Sequence, residues 1–314
     1  MTISAIFDNQ KYSILVDSAQ IINPLSNIEG VNDICLLNID ANLIETFDNR
    51  EVTSNFIFVC TNWDSFVKFR NIKGKRILLL PQVAFDVNID TLIYSIQKLL
   101  ASDFEYAVTK HHEWYPVFSE IERPLSFWGR GSGLRCDLSQ SIEISTINNI
   151  VLEVDNPRSV AEYFEIALEN RIDQDGSVKI DGYLDVEGFL MAKGIDFRLE
   201  NYNRCFADNL MYLVSQSSSM KIIVNNNKLT SVLIDNIEYL NHFTDLISED
   251  KTKLPNITEF AIGFNYKLQN NVNWNFNSQV NEGIEGLHLG IGNGEVGYHF
   301  DFITTNIEYY NDLC

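Results

Sequence analysis

Gly286-Leu287-His288-Leu289-Gly290-Ile291-Gly292-Asn293-Gly294-Glu295-Val296-Gly297-Tyr298-His299-Phe300-Asp301-Phe302-Ile303 is the stretch that decides how this chain is read. The sequence has five histidines, and two of them stand here beside an aspartate. His299 and Asp301 are two residues apart, so on a strand they share a face. His288 alternates with Leu287, Leu289 and Ile291, which is strand periodicity. The glycines and Asn293 between the two runs supply turn chemistry. Folded as a hairpin, the runs bring His288, His299 and Asp301 to one face and the apolar residues to the other. Two imidazoles and a carboxylate suit a divalent ion of the Zn, Mn or Fe type. The same three residues also suit a metal-free hydrogen-bonded network, with His299 on Asp301.

Upstream of this hairpin the pattern is rich in strands. Ile142–Ile147 and Ile150–Val154 alternate like strands, and Arg158–Leu168 reads as a helix with Pro157 at its first turn. Ser177–Gly188 and Phe189–Leu199 read as antiparallel strands. Lys221–Val224 and Lys228–Leu233 form a hairpin around Asn225-Asn226-Asn227. Ile237–Ile247 is a short amphipathic helix on which His242 is a surface residue, and Thr258–Asn265 is a further strand.

The first half instead alternates strands and helices. Ile34–Asn38, Phe56–Cys60 and Arg76–Leu80 are apolar runs, Trp63–Phe69 suits a helix, and Asp90 is placed to cap a helix through Leu100. That order predicts a parallel sheet covered by helices. Residues 103–140 read as irregular. His111-His112-Glu113 lacks the spacing of a zincin motif and reads as a surface or packing element. Gly129-Arg130-Gly131-Ser132-Gly133 could cradle an anion with its backbone amides but lacks the ending of a phosphate loop. The expectation is therefore an α/β N-terminal domain over residues 1–140 and an α+β C-terminal domain, rich in antiparallel strands, over residues 141–314.

Composition narrows the function classes. The 314 residues are 45% hydrophobic, enough for substantial cores, and 43 acids against 23 bases give a net charge of -20. Such a balance argues against nucleic acid and against an anionic membrane surface as partners. Cys35, Cys60, Cys136, Cys205 and Cys314 are odd in number and widely spaced, as reduced thiols of a cytoplasmic protein are. No signal peptide and no membrane-spanning run is visible. No Gly-x-Ser-x-Gly elbow points to a nucleophilic serine.

The C-terminal half carries an ordered set of motifs: Glu259 in Thr258-Glu259-Phe260-Ala261-Ile262-Gly263-Phe264-Asn265, His288 in Gly286–Gly292, then His299-Phe300-Asp301-Phe302-Ile303. In this order they resemble the thermophilic (leucyl-type) metalloaminopeptidases and the related 2,5-dihydroxypyridine dioxygenases. Val178–Gly188 and Asn227–Val232 are similar to the strand hairpins around those metal sites. The resemblance covers residues 140–314 and implies a thermophilic-aminopeptidase-like fold with Glu259, His288, His299 and Asp301 as metal ligands. Glu259 is a ligand or the base that activates water.

The chain departs from that pattern in three places. The peptidases carry a further Glu where this chain has Leu168–Gly176, with Asp173 or Asp175 as substitutes. A Tyr found after their first His is replaced by Asn293-Gly294-Glu295, and the loop between the histidines is shorter. Glu282 and Glu285, just before His288, read as solvated charges.

The resemblance implies a divalent metal (Zn, Mn, Co or Fe) and a metal-dependent aminopeptidase-like hydrolase acting on a peptide or small amide, with metal-activated water attacking the carbonyl. The departures keep two alternatives open. One is a metal-free accessory protein that binds a precursor peptide for a modifying enzyme. The other is a mononuclear non-haem iron dioxygenase that cleaves rings. The expected partner is a peptide or small-molecule substrate, and the dimeric peptidases imply a homodimer.

Overall fold

The computed structural model describes residues 3–38, 43–46, 54–69, 72–119, 124–138, 143–169, 178–194, 201–247, 255–294 and 297–311. The fold is mixed α/β, with one largely parallel sheet and two antiparallel ones. The chain divides into two compact units built from interleaved segments. The first takes Met1–His111, Ile147–Phe164 and Asn265–Ile284, and the second takes His112–Thr146, Glu165–Phe264 and Glu285–Cys314.

In the first unit, six strands lie in the order Leu43–Thr46, Ile34–Asn38, Ser13–Val16, Asn55–Val59, Arg76–Leu80, Arg158–Ser159. All neighbours are parallel except the Ile34–Asn38 and Leu43–Thr46 pair. Ser13–Val16 and Asn55–Val59 are buried at every residue, because both faces of a parallel sheet are covered. Leu15, Phe56, Phe58, Ile77 and Leu79 form the core on one face.

Helix α1 (Ile89–Ala101) starts two residues before where the acidic residue suggests. Asn88, not Asp90, is the cap: its Oδ1 accepts the Thr91 N–H at 2.8 Å, and Asp90 lies in the first turn. Asn88→Ala should lower stability by about 1 kcal/mol in urea denaturation, whereas Asp90→Ala should change it little.

The described residues between 103 and 138 are not irregular. They hold helix α2 (Phe104–Ser119) and a hairpin of strands Leu125–Gly129 and Ser132–Leu138. Phe104, Ala107, Val108 and His111 follow helical spacing and are all buried, so a histidine occupies an apolar-stripe position. His111 Nδ1 accepts the Ile147 N–H at 3.4 Å and Nε2 donates to the Tyr163 carbonyl at 3.2 Å, which is a packing role. In the hairpin, Arg130 and Gly131 both have positive φ (43° and 78°), as a two-residue turn requires. The Gly129–Gly133 run is thus a tight turn rather than an anion cradle, and Arg130 pairs with Glu187.

The second unit holds two antiparallel sheets. The seven-stranded one runs Ile237–Glu238, Lys228–Ile234, Met220–Asn225, Val178–Val186, Ser132–Leu138, Leu125–Gly129, Glu308–Asn311. The other comprises β1 (Glu143–Ser145), β2 (Glu165–Glu169), β3 (Gly188–Ala192), β4 (Ile257–Gly263), β5 (Gly286–Ile291) and β6 (His299–Thr305), in the order β3-β6-β5-β4-β2-β1.

Three further readings of the sequence are corrected. Arg158–Leu168 is not one helix: a bridge at Arg158–Ser159 leads into a short turn of helix, Val160–Phe164, and then into β2. Ile150–Val154 forms no strand, and the chain turns there with Asp155 at φ 61°. Helix Ile237–Ile247 is shorter than read, because α3 (Leu240–Ile247) begins only after the short strand Ile237–Glu238, and a helix not read from the sequence, Asn201–Gln216, follows the Gly188–Ala192 strand.

Cys35, Cys60 and Cys136 are buried free thiols and Cys205 is exposed; Cys314 lies outside the described residues. Burial pushes the Cys60 and Cys136 thiols well above their usual range. Among the described residues, no helix is long and apolar enough to cross a membrane.

Candidate metal centre

The hairpin β5–β6 pairs in a register that sorts its two faces cleanly. Gly290 lies opposite Asp301 and His288 opposite Ile303. On the other side of β5, β4 sets Glu259 opposite Gly290 and Ala261 opposite His288. Beyond β4, β2 sets Glu165 opposite Gly263 and Ala167 opposite Ala261. Paired residues share a face, so Glu165, Glu259, His288, His299 and Asp301 all project from the same side. Phe260, Leu289, Phe300 and Phe302 project from the other, where they are buried.

Small residues make the room these side chains need. A Cβ on Gly290 would stand 2.7 Å from His299 Cε1 and 2.9 Å from Glu259 Cβ. Only hydrogen at that position lets Glu259 and His299 close over it. Ala261 and Ala167 leave the equivalent space beside His288.

The donor atoms form two triads that share Glu259: Glu165, Glu259 and His288, and Glu259, His299 and Asp301. His288 Nε2 is 3.1 Å from Glu259 Oε1 and 3.6 Å from Glu165 Oε2. His299 Nε2 is 2.8 Å from Asp301 Oδ1 and 3.5 Å from Glu259 Oε2. Glu259 therefore turns one oxygen toward each triad. Separations of this size are those of ligands arranged about an ion at roughly 2.0–2.2 Å.

His288 is buried and His299 nearly so, at 15% side-chain exposure, and the titration of the cluster follows from that. Burial disfavours the charged His288, but its bond to Glu259 and the nearby Glu165 and Asp301 outweigh this and raise it to about 9. Burial likewise opposes charge on His299, yet Asp301, Glu259 and the Gly292 carbonyl raise it to about 10. Glu165 is pushed up to about 8, chiefly by burial, with His288 acting the other way. Glu165 and the two imidazoles therefore all hold their protons more tightly than the free side chains do.

The donor set fits a divalent cation on three observations. Its chemistry, two imidazoles and three carboxylates, matches the preferences of Zn, Mn, Co and Fe. Glu165 Oε2 is buried with no hydrogen-bond partner. His299 Nδ1 donates to the Gly292 carbonyl at 3.0 Å, which aims Nε2 at the two carboxylates. A ligating histidine is commonly oriented by such a bond on its other nitrogen.

The four residues expected from the sequence, Glu259, His288, His299 and Asp301, thus converge. Glu165 was missed. Its signal was present in the alternation of Phe164, Ile166 and Leu168 with Glu165, Ala167 and Glu169, which is a strand pattern inside an apparent helix. Asp173, Asp175 and Glu295 lie outside the described residues. Glu282 and Glu285 are not in the cluster, and Glu282 is buried rather than solvated. His242 stacks on Phe206 at 5.1 Å.

Comparison with known proteins gives a weak likeness of fold and a distinct family. AmpT from Thermus thermophilus is 10% identical over 78% of this chain and 63% of its own, at a TM-score of 0.45. This chain therefore spans less than two thirds of AmpT. The 2,5-dihydroxypyridine dioxygenase from Pseudomonas putida KT2440 is 12% identical over 99% of this chain and 90% of its own, at a TM-score of 0.49. No curated protein sequence matches this one. The family that matches is not that of the aminopeptidases suggested by the motifs: residues 9–311 match the family described as crocagin biosynthetic protein CgnE/B.

Proposed function

This chain belongs to the crocagin biosynthetic protein CgnE/B family, and from that membership and the five-donor cluster we propose a metal-binding biosynthetic protein that acts on a carbonyl of a peptide or small amide. The observation that carries the reading is His299. With Nδ1 committed to the Gly292 carbonyl, its Nε2 faces Glu259 and Asp301, both acceptors, so Nε2 either carries a proton or ligates a cation shared with the two carboxylates. Glu165, Glu259, His288, His299 and Asp301 would hold the ion, with Glu259 shared if two bind. A divalent ion there supplies Lewis acidity toward a carbonyl oxygen.

The chain's own residues supply the rest. Glu259 and His299 are the more open members, at 19% and 15% side-chain exposure against 0% for Asp301 and 1% for His288. A substrate reaches the cluster from their side. Glu259 is the group placed to accept a proton there.

The test is metal content by emission spectrometry on tag-free protein, with Glu165→Gln and His288→Ala in parallel. The expected result is about one or two ions per chain, with the ion of the Glu165–Glu259–His288 triad lost in both variants, and hydrolysis of a peptide-amide panel only by loaded protein. Failure to load Zn, Mn, Co or anaerobic Fe(II) would remove the reading. Zinc affinity should also rise with pH up to about 10. Glu165, His288 and His299, raised to about 8, 9 and 10, must release protons before they ligate, so protons compete more strongly at lower pH. Calorimetry in buffers of different ionisation enthalpy would report the protons released.

A second reading has its own support. His288 bonded to Glu259 and His299 to Asp301 also close the cluster as an internal network, which suits an accessory protein that presents a peptide without chemistry. Peptide binding retained in His288→Ala, with no turnover by wild type, is its signature. The ring-cleaving dioxygenase reading is less well matched, because the two histidines fall in different triads and three carboxylates surround them.

A further inference from the structure

The orientation of His299 depends on one carbonyl, and that carbonyl is itself held. Gly292 O accepts the His299 Nδ1–H at 3.0 Å and the Thr258 Oγ1–H at 2.7 Å, one on each lone pair. Thr258 has a single hydroxyl proton. The Gly290 carbonyl, at 3.3 Å, is the longer and weaker alternative.

Thr258 reaches this position through an irregularity in the sheet. The β4–β5 register shifts between Ile257, opposite Ile291, and Glu259, opposite Gly290, so Thr258 is the extra residue of a bulge. Bulges re-aim side chains beside functional sites. This one sets the Thr258 hydroxyl on the chain just past β5. Gly292 has φ +78°, and a Cβ there would collide with the Tyr298 carbonyl, so the accepting residue has to be glycine. On the far side, Tyr298 N–H donates to the Leu246 carbonyl of α3 at 2.9 Å, which fixes the approach to His299.

We propose that Thr258 is a positioning residue: its hydroxyl holds the Gly292 carbonyl, which orients the His299 ring so that Nε2 points at Glu259 and Asp301. Thr258 touches neither substrate nor ion and acts through Gly292. The inference rests on the metal-centre reading for its consequence, while the hydrogen-bond relay exists in the metal-free protein as well.

The experiment uses the full chain with Thr258→Val, which removes the hydroxyl at constant shape, and Thr258→Ser, which keeps it. Thr258→Ala replaces the first should it not fold. Zinc affinity by calorimetry should fall about 10- to 100-fold in Thr258→Val, the range for loss of a group that orients a ligand, and return to near wild type in Thr258→Ser. In the metal-free protein, the His299 ring N–H, assigned by NMR with His299→Gln, should exchange slowly in wild type and Thr258→Ser and faster in Thr258→Val. Wild-type zinc binding with an unchanged Thr258→Val affinity overturns the positioning role and leaves the metal centre standing. Absence of zinc binding by wild type overturns the metal centre. Ring-proton exchange then decides Thr258 alone, and equal exchange in all three proteins overturns the relay.

Discussion

Zinc at a hundredfold excess over its dissociation constant should stabilise the metal-free protein by about 2.7 kcal/mol. For a chain of 314 residues that corresponds to a rise of roughly 4 °C in the thermal midpoint. The reason lies in what the fold holds without the ion. Glu165, His288 and Asp301 are buried on one sheet face, with Glu259 and His299 only partly open. Such groups are held in place by the folded chain and dispersed in the unfolded one, so an ion that needs them together binds the native state in preference. A chelator should reverse the gain, and His288→Ala should diminish it because one triad then loses its only nitrogen. Differential scanning calorimetry with and without zinc is the measurement. An unchanged midpoint in wild type would mean that the cluster is an internal network.

Phe300→Ala should have the largest effect on stability, about 4 kcal/mol, while leaving zinc affinity in the folded protein within a few-fold of wild type. Phe300 is fully buried, stacked with Phe189 at 5.5 Å, edge-on to Phe243 at 5.2 Å and tilted against Tyr298 at 5.9 Å. It stands between His299 and Asp301 in sequence but on the opposite face of β6. Truncation leaves a cavity among aromatic rings and removes no donor. His299→Ala should do the reverse, removing zinc binding with a smaller loss of stability. Urea denaturation and zinc titration at low temperature separate the two effects. Equal loss of zinc affinity in both variants would contradict the division of the strand into a packing face and a ligand face.

That division is what made the hairpin legible. His288 among Leu287, Leu289 and Ile291, and His299 and Asp301 around Phe300, alternate strictly, and a strand has no other way to satisfy such a pattern than one polar and one apolar face. Glu165 was obscured because Val160, Ala161 and Phe164 after Pro157 follow helical spacing, and the switch to alternation at Phe164 is too short to outweigh it. α2 was obscured for a different reason: His111 fills a position of the buried stripe that pattern reading reserves for apolar residues. The cap of α1 fell to Asn88 because its amide oxygen, two residues before Asp90, reaches the Thr91 N–H.

By itself, then, the sequence determined the β5–β6 hairpin, its faces and four of the five residues that converge there, since local alternation and turn chemistry act between residues close along the chain. Only the tertiary structure decided that β2 pairs with β4, and hence that Glu165 completes the cluster. Glu165 and Glu259 are brought together by strand pairing across nearly a hundred residues, which depends on how whole sheets bury their faces and leaves no local trace. The same holds for Thr258, whose hydroxyl meets Gly292 only because the register slips by one residue between two strands already paired.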